Sequence, residues 1–333
     1  MTNWFGKTVM LIAAAAVALA ALGGAAGAAT TPVSDPHIVA NFNLGAGQTP
    51  EAFALAPDGA VDVSFAYADE VARLAPDGDI QVLGQLPKTG GCPMINAPVS
   101  LGIARARNGT VYAIDCTGNA DTGVWRLRPG SAPAQIAQLP ADSFPHKMVL
   151  DGQTGELYIT DSLRGVVWRV PAAGGTPVIW ARGPALQKVS LFGANGITLH
   201  GHAVWVSNTD EGTIVKIAIR ADASAGPIQT VVTGLAGEVD GFTVLDRDDT
   251  VLAALNPSSE VVLIRPGGEP EAVLTAADGL SDPTDVAVRG HALYVTSAAY
   301  FTRKNPNLLV GRLACRAPGG TAGRGPAKGE RTA

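Results

Sequence analysis

Short runs in which apolar and polar residues alternate, rich in β-branched and aromatic side chains, recur along the whole chain and predict strands. One type reads Val-Tyr-Ala-Ile-Asp at 111–115, Leu-Tyr-Ile-Thr-Asp at 157–161, Val-Trp-Val-Ser-Asn at 204–208, Val-Leu-Ala-Ala-Leu-Asn at 251–256 and Leu-Tyr-Val-Thr-Ser at 293–297. A second follows after a polar turn, in six copies that begin at Val71, Val124, Val167, Ile214, Val261 and Leu309. A third precedes the first by one tight turn, beginning at Glu51, Leu101, His146, Asn195, Asp240 and Thr284. These starts are 50, 45, 49, 45 and 44 residues apart. Turns such as Pro57-Asp-Gly and Asn108-Gly separate the strands, as hairpins require.

A repeat of roughly 40 to 50 residues built from short strands is the mark of a propeller. The expected fold is therefore all-β: a six-bladed β-propeller with four-stranded blades over residues 35–315. An outer fourth strand follows most copies, as in Ile80-Gln-Val-Leu and Glu271-Ala-Val-Leu, but the sixth copy has none. Pro36-His-Ile-Val-Ala-Asn-Phe, before the first blade, is a strand without a blade. The N-terminal strand should therefore complete the last blade and close the ring, leaving only short edges. A two-domain α/β arrangement is disfavoured, because no segment carries a convincing helical period.

The two ends of the chain read differently. Lys7, an apolar run from Thr8 to Leu22 and the Ala26-Gly27-Ala28 signal form a secretory signal peptide over residues 1–28. Its apolar segment is shorter than the ~20 residues a spanning helix needs, so the expectation is a secreted or periplasmic chain with no membrane contact after cleavage. Residues 316–333 are Gly, Ala, Pro, Lys and Arg with almost nothing to bury, and should be a disordered tail. Lysine and arginine number 24 against 29 acidic residues, a formal charge of −5 that carries no footprint for nucleic acid. An oxidising compartment allows one disulfide among Cys92, Cys116 and Cys315, and Cys92 with Cys116 is the favoured pair. No long exposed apolar stripe suggests a dimer face, so a monomer is expected.

The innermost strands line the channel of a propeller, which brings equivalent residues of six blades onto one axis. The first position reads Glu51, Leu101, His146, Asn195, Asp240 and Thr284, while two residues on the set is Phe53, Ile103, Met148, Ile197, Phe242 and Val286. A uniformly apolar layer beside one with two carboxylates, an amide and an imidazole is not what packing alone would choose. The position between is small in four blades, which lets backbones approach the axis; the other two carry Lys147 and Asp285. Converging carboxylate and carboxamide oxygens suit a hard divalent cation such as Ca²⁺. Such a cation could be catalytic or could only pin the blades, and a hydrogen-bonded polar plug without metal is the other arrangement these residues allow.

At these residues the chain resembles the family of senescence marker protein, gluconolactonase and luciferin-regenerating enzyme. The matching motifs are Pro50-Glu51, Asn195-Gly196-Ile197, Asp240-Gly241-Phe242 and Pro283-Thr-Asp. The resemblance implies a central divalent metal, usually calcium, held here by Glu51, Asn195 and Asp240. The third blade departs from it, with His146 and Lys147 where relatives often place an asparagine ligand. An imidazole there would be a fourth ligand favouring Zn²⁺ or Mn²⁺, or a general base beside the metal.

The activity implied is that of an exported lactonase or esterase acting on a small molecule, with Asp240 or His146 taking a proton and Lys147 steadying an oxyanion. Loops at Gly84–Ala97, Gly118–Gly123 and Tyr300–Leu308 should build the pocket. The Asn-Gly-Ile and Asp-Gly-Phe motifs also resemble fungal hetero-Diels-Alderases. A biosynthetic cyclase, or a non-hydrolytic binding propeller, therefore stands as the alternative.

Overall fold

The structure is a computed structural model that describes residues 32–314, apart from 236–237 and 246–247. The predicted signal peptide, the predicted tail and Cys315 lie outside the described residues. The described chain forms six four-stranded antiparallel sheets, the blades of a propeller. Its innermost strands are Pro50–Leu55, Val99–Arg105, Pro145–Asp151, Ala194–His200, Val239–Leu245 and Pro283–Arg289. The only helices among the described residues are three short 3₁₀ turns, and none is long and apolar enough to cross a membrane.

Closure follows the predicted route. Strand Val33–Asn41 pairs antiparallel with Asn307–Leu313, with Val33 opposite Leu313 and Asn41 opposite Asn307, and so supplies the outer strand of blade six. The first and last strands of the ring thus share one sheet, and neither of them is left as a free edge of an incomplete blade.

Each blade meets its neighbour through its own apolar cluster, and there are six clusters for six interfaces. Successive residues of a strand point to opposite faces, so a blade packed on both sides needs apolar residues in both registers. Leu157 and Tyr158 show this directly, since the first packs toward blade two and the second toward blade four. Trp168 and Trp205 are buried in these clusters, filling the space between blades. A disulfide joins Cys92 to Cys116, tying the segment before blade two to the end of that blade's second strand.

Next to the disulfide, Asp115 is completely buried and neither carboxylate oxygen has a hydrogen-bond partner. Burial, then the charges of Asp69 and Asp121, push its pKa up to about 9. The folded chain keeps a proton that the unfolded chain releases above the ordinary carboxylate range. Stability from this group is therefore lost as pH rises toward 9. Asp115→Asn, which keeps the shape and removes the titration, should raise the melting temperature at pH 8 and flatten the fall in stability between pH 5 and pH 9, as measured by thermal melts across that range.

Candidate active site

All six inner strands carry the same irregularity, at the same place. Two residues of the inner strand face one of the second: Leu101 and Gly102 against Ile114, His146 and Lys147 against Thr160, Asn195 and Gly196 against Ser207, Asp240 and Gly241 against Ala254. Blades one and six show it as a single extra residue, Glu51 and Thr284. A bulge breaks the alternation of faces and re-aims the side chains beside it. That is the physical origin of the polar layer, because Phe53, Met148 and Phe242 join the apolar clusters while Glu51, His146, Asn195 and Asp240 line one cavity.

Hydroxyls hold the bulges. Ser64, Thr160 and Ser207 accept the N–H groups of Ala52, Lys147 and Gly196 at 3.1, 3.1 and 2.7 Å. The Thr160 hydroxyl also bonds the carbonyl of Asn195, and that of Ser207 donates to the carbonyl of Asp240 at 3.0 Å, so these two staples run into the next blade, whereas Ser64 turns back to the carbonyl of Ala52. Glycine follows in three blades because the neighbouring backbone leaves no room: a Cβ on Gly196 would lie 2.3 Å from the carbonyl oxygen of Asp240. Thr160 and Ser207 were legible only as the Thr or Ser that precedes Asp161 or Asn208 in the repeated second strand, Ser64 precedes Phe65 instead, and sequence reasoning passed over all three.

The cavity holds about 420 Å³, within the usual range for small-molecule sites. Its floor is the ionisable cluster. One ligand atom each of Glu51, His146 and Asp240 lies within 4.8 Å of the others. Nδ1 of His146 is 2.9 Å from the Ser162 hydroxyl, which donates its own proton to the carbonyl of Ala194. Nδ1 must therefore be the donor, and Nε2 is the free lone pair in the neutral ring. That atom faces Oε1 of Glu51 at 3.3 Å, two electron-rich atoms that need a proton or a cation between them. Burial lowers the His146 pKa and favours the neutral ring, against the opposing pull of Glu51.

Lys147 takes a different place from the one expected of it. It does not line the cavity; its ammonium bonds the backbone carbonyls of Glu51 and, at 3.1 Å, Thr284, and approaches Oε1 of Glu51 at 3.1 Å and Oδ1 of Asp240 at 3.6 Å. It lies below the floor as a fixed counter-charge rather than beside a reacting carbonyl. Burial opposes the charge on Lys147, but Glu51, Asp240 and Asp285 outweigh burial and hold it protonated. Glu51 is likewise held ionised against burial, by Lys147 and by the hydroxyl of Tyr300, which donates to Oε2 at 2.6 Å. Burial pushes Asp240 up instead, although Asn256 Nδ2 donates to its Oδ2 at 3.3 Å.

The donor set fits a divalent cation. Oδ1 of Asn195, of Asp240 and of Asn256 are buried and have no hydrogen-bond partner among the described residues, while the Nδ2 groups of both asparagines are engaged. Free oxygens beside a carboxylate are what a hard cation recruits. Lys147 offsets the ionised Glu51, while burial pushes Asp240 up to about 8 and also raises Asp285, so a divalent cation at this site would displace the proton that Asp240 holds at neutral pH.

Of the expected pocket loops, the first contributes Ile95 and the third Tyr300 and Phe301, whereas 118–123 contributes nothing. The segment 189–192, which the repeats do not mark, supplies Leu191 and Phe192. Asp210 holds it by accepting the N–H groups of Val189, Ser190, Leu191 and Phe192 at 2.5 to 3.2 Å. Ser162 was not singled out, while Asn256 was marked only as the end of a repeated segment and Tyr300 only as the start of a pocket loop; all three sit in turns.

Fold and site together define a six-bladed propeller whose axis ends in a charged floor beneath an open cavity. No protein-family model matches the sequence, and no curated protein sequence matches it. Solved structures do. A gluconolactonase from Xanthomonas campestris shares 16% identity at a TM-score of 0.59, covering 85% of this chain and 96% of that one. A catalytically inactive virginiamycin B lyase from Staphylococcus aureus, solved with quinupristin, shares 16% at 0.57 over 80% and 82%. A PQQ-bound aldose sugar dehydrogenase from Streptomyces coelicolor shares 15% at 0.61 over 84% and 98%. Identities this low establish the fold, and gluconolactonases stand among the neighbours, as the sequence resemblance implies.

Removing one partner of a buried ion pair strands the other, at a cost of roughly 3–5 kcal/mol. Glu51→Gln and Lys147→Met should each destabilise the chain by about that much, and the double variant by clearly less than the sum of the two. Urea unfolding of the three variants tests the coupling; additive losses would mean that the two charges are independent.

Proposed function

We propose that the protein is an exported, metal-dependent hydrolase of the lactonase or esterase type, acting on a small molecule at the mouth of the propeller. The observation that supports this most is the set of free buried oxygens on Asn195, Asp240 and Asn256, gathered with Glu51 and the open Nε2 of His146 under one cavity. Glu51, Asn195, Asp240 and His146 would hold the ion, and the preponderance of oxygen donors favours Ca²⁺ over Zn²⁺ or Mn²⁺. A divalent ion so held supplies a Lewis acid for a lactone carbonyl and lowers the pKa of a coordinated water.

The residues of the chain do the rest. Tyr300 and Lys147 keep Glu51 ionised and in place from opposite sides. Ser162 fixes the His146 ring so that Nε2 points at the cluster. Asp240, or His146 where it is not a ligand, takes the proton of the attacking water, within reach of a carbonyl seated on the floor. The apolar wall excludes bulk water from that carbonyl.

One observation favours a second reading. The Lys147 ammonium already gives the floor a cation, so a binding propeller or a cyclase without metal is compatible with the same residues. Elemental analysis of the purified chain, with assays on a panel of lactones and aryl esters before and after chelation, separates the two. One equivalent of divalent metal with chelator-sensitive turnover is expected, and the Glu51→Gln, Asp240→Asn double variant should lose the metal and at least about a thousandfold in kcat/KM. A metal-free, inactive native chain would move the assignment to the second reading.

A further inference from the structure

The cavity above the floor has a second character that the ionisable cluster does not explain. Its wall is made of Ile95, Val99, Leu101, Phe144 and Phe192. At its rim Tyr67, Leu191 and Phe301 remain 43%, 55% and 68% exposed, large apolar surface that a soluble protein ordinarily covers. Among the described residues, no lysine or arginine lines it.

Most polar groups of the wall are already engaged, the Tyr67 hydroxyl at the rim and one oxygen of Glu238 excepted. Thr209 receives Nδ2 of Asn195 at 2.9 Å and donates to the carbonyl of Val239 at 2.8 Å. Asp210 is taken up by four backbone N–H groups, Glu238 accepts the N–H of Ser258 at 3.0 Å, and the Tyr300 hydroxyl is spent on Glu51. Free acceptors occur at the floor, on Asn195, Asp240 and Asn256. A ligand would thus find the free buried acceptors at one end and mainly apolar surface above them.

The apolar residues are held rigidly, which separates a built surface from a loose one. Asp210 fixes Leu191 and Phe192. Asp282 does the same on the opposite side, accepting the N–H groups of Phe301 and Thr302 at 2.7 and 2.8 Å and the Thr302 hydroxyl at 3.0 Å. Ser281 adds a bond to the Thr302 hydroxyl at 2.6 Å. Phe192 packs at a tilt against Phe144, with ring centres 5.3 Å apart, and against His146 at 5.8 Å, so the wall reaches down to the reacting end.

We infer that the ligand is a neutral lactone or cyclic ester carrying an alkyl or aryl substituent, with its carbonyl on the floor and its substituent between Phe192, Leu191 and Phe301, and that polyhydroxylated sugar lactones are poor ligands. This rests on the hydrolase reading for the chemistry, and on the cavity alone for the selectivity. A sugar lactone would have to give up the hydration of several hydroxyls against a wall that offers them few partners. Each buried methylene is worth roughly fourfold, so a butyl chain should contribute on the order of 100-fold.

The test compares kcat/KM for δ-nonalactone, unsubstituted δ-valerolactone and gluconolactone on the full chain loaded with Ca²⁺. The alkyl lactone should exceed gluconolactone by on the order of 100-fold or more. In the Leu191→Ser, Phe301→Ser double variant, at two exposed positions, the ratio of δ-nonalactone to δ-valerolactone should fall at least about tenfold. Equal or better turnover of gluconolactone, or a ratio that does not move, would overturn the inference and leave the hydrolase reading intact. If no lactone is turned over, the hydrolase reading fails, and competition against the neutral fluorophore N-phenyl-1-naphthylamine decides the rest. Displacement by δ-nonalactone and not by gluconolactone upholds the apolar ligand class. No displacement by either, or displacement by both alike, overturns it.

Discussion

A lysine ammonium buried in the channel of a propeller, among the carboxylates of three other blades, constrains this molecule more than any other contact. Lys147 can stay charged there only because Glu51, Asp240 and Asp285 surround it and two backbone carbonyls take its protons. The same ammonium keeps Glu51 ionised, and Glu51 in turn orients toward His146 and Tyr300. Burial pushes Asp240 and Asp285 toward their protonated forms, so a cation binding at the floor would release a proton from the cluster. An uncharged residue at 147 would leave a different set of protons on the same side chains.

The backbone makes this cluster possible through the bulge repeated in every inner strand. Without it the first residues of those strands would share a face with Phe53, Met148 and Phe242 and vanish into the blade interfaces. The bulge costs ladder hydrogen bonds, and hydroxyls on the second strands replace three of them, two of which also reach a carbonyl of the adjacent blade. Stability and chemistry are thereby kept apart: six apolar clusters between blades carry the packing, and one bulged layer at the axis carries the ionisable groups. The rim is a third, separate construction, in which Asp210 and Asp282 each hold an apolar loop by its backbone N–H groups.

Much of this was legible along the chain. Strands of period two, spaced by turns and repeated six times, leave few architectures open, and the unpaired N-terminal strand announced how the ring closes. Glu51, His146, Asn195 and Asp240 stood out because they break an otherwise apolar pattern at equivalent positions. The Cys92 to Cys116 pairing also matches the structure. The direction of Lys147 was not legible, since a bulge changes which way a side chain points without changing the residues that flank it. Nor were Tyr300, Asn256 and Ser162, which reach the axis from turns of differing length.

By itself, then, the sequence determined the blade count, the closure and the identity of the residues at the inner strand starts, because these depend on local periodicity that each repeat restates. Only the tertiary structure decided what those residues do to one another. Six strands distant in sequence must converge on one axis before carboxylates, an imidazole and an ammonium can share a site, and the distances that set their charges exist nowhere along the chain. The apolar mouth was decided in the same way, by loops that two aspartates hold in place.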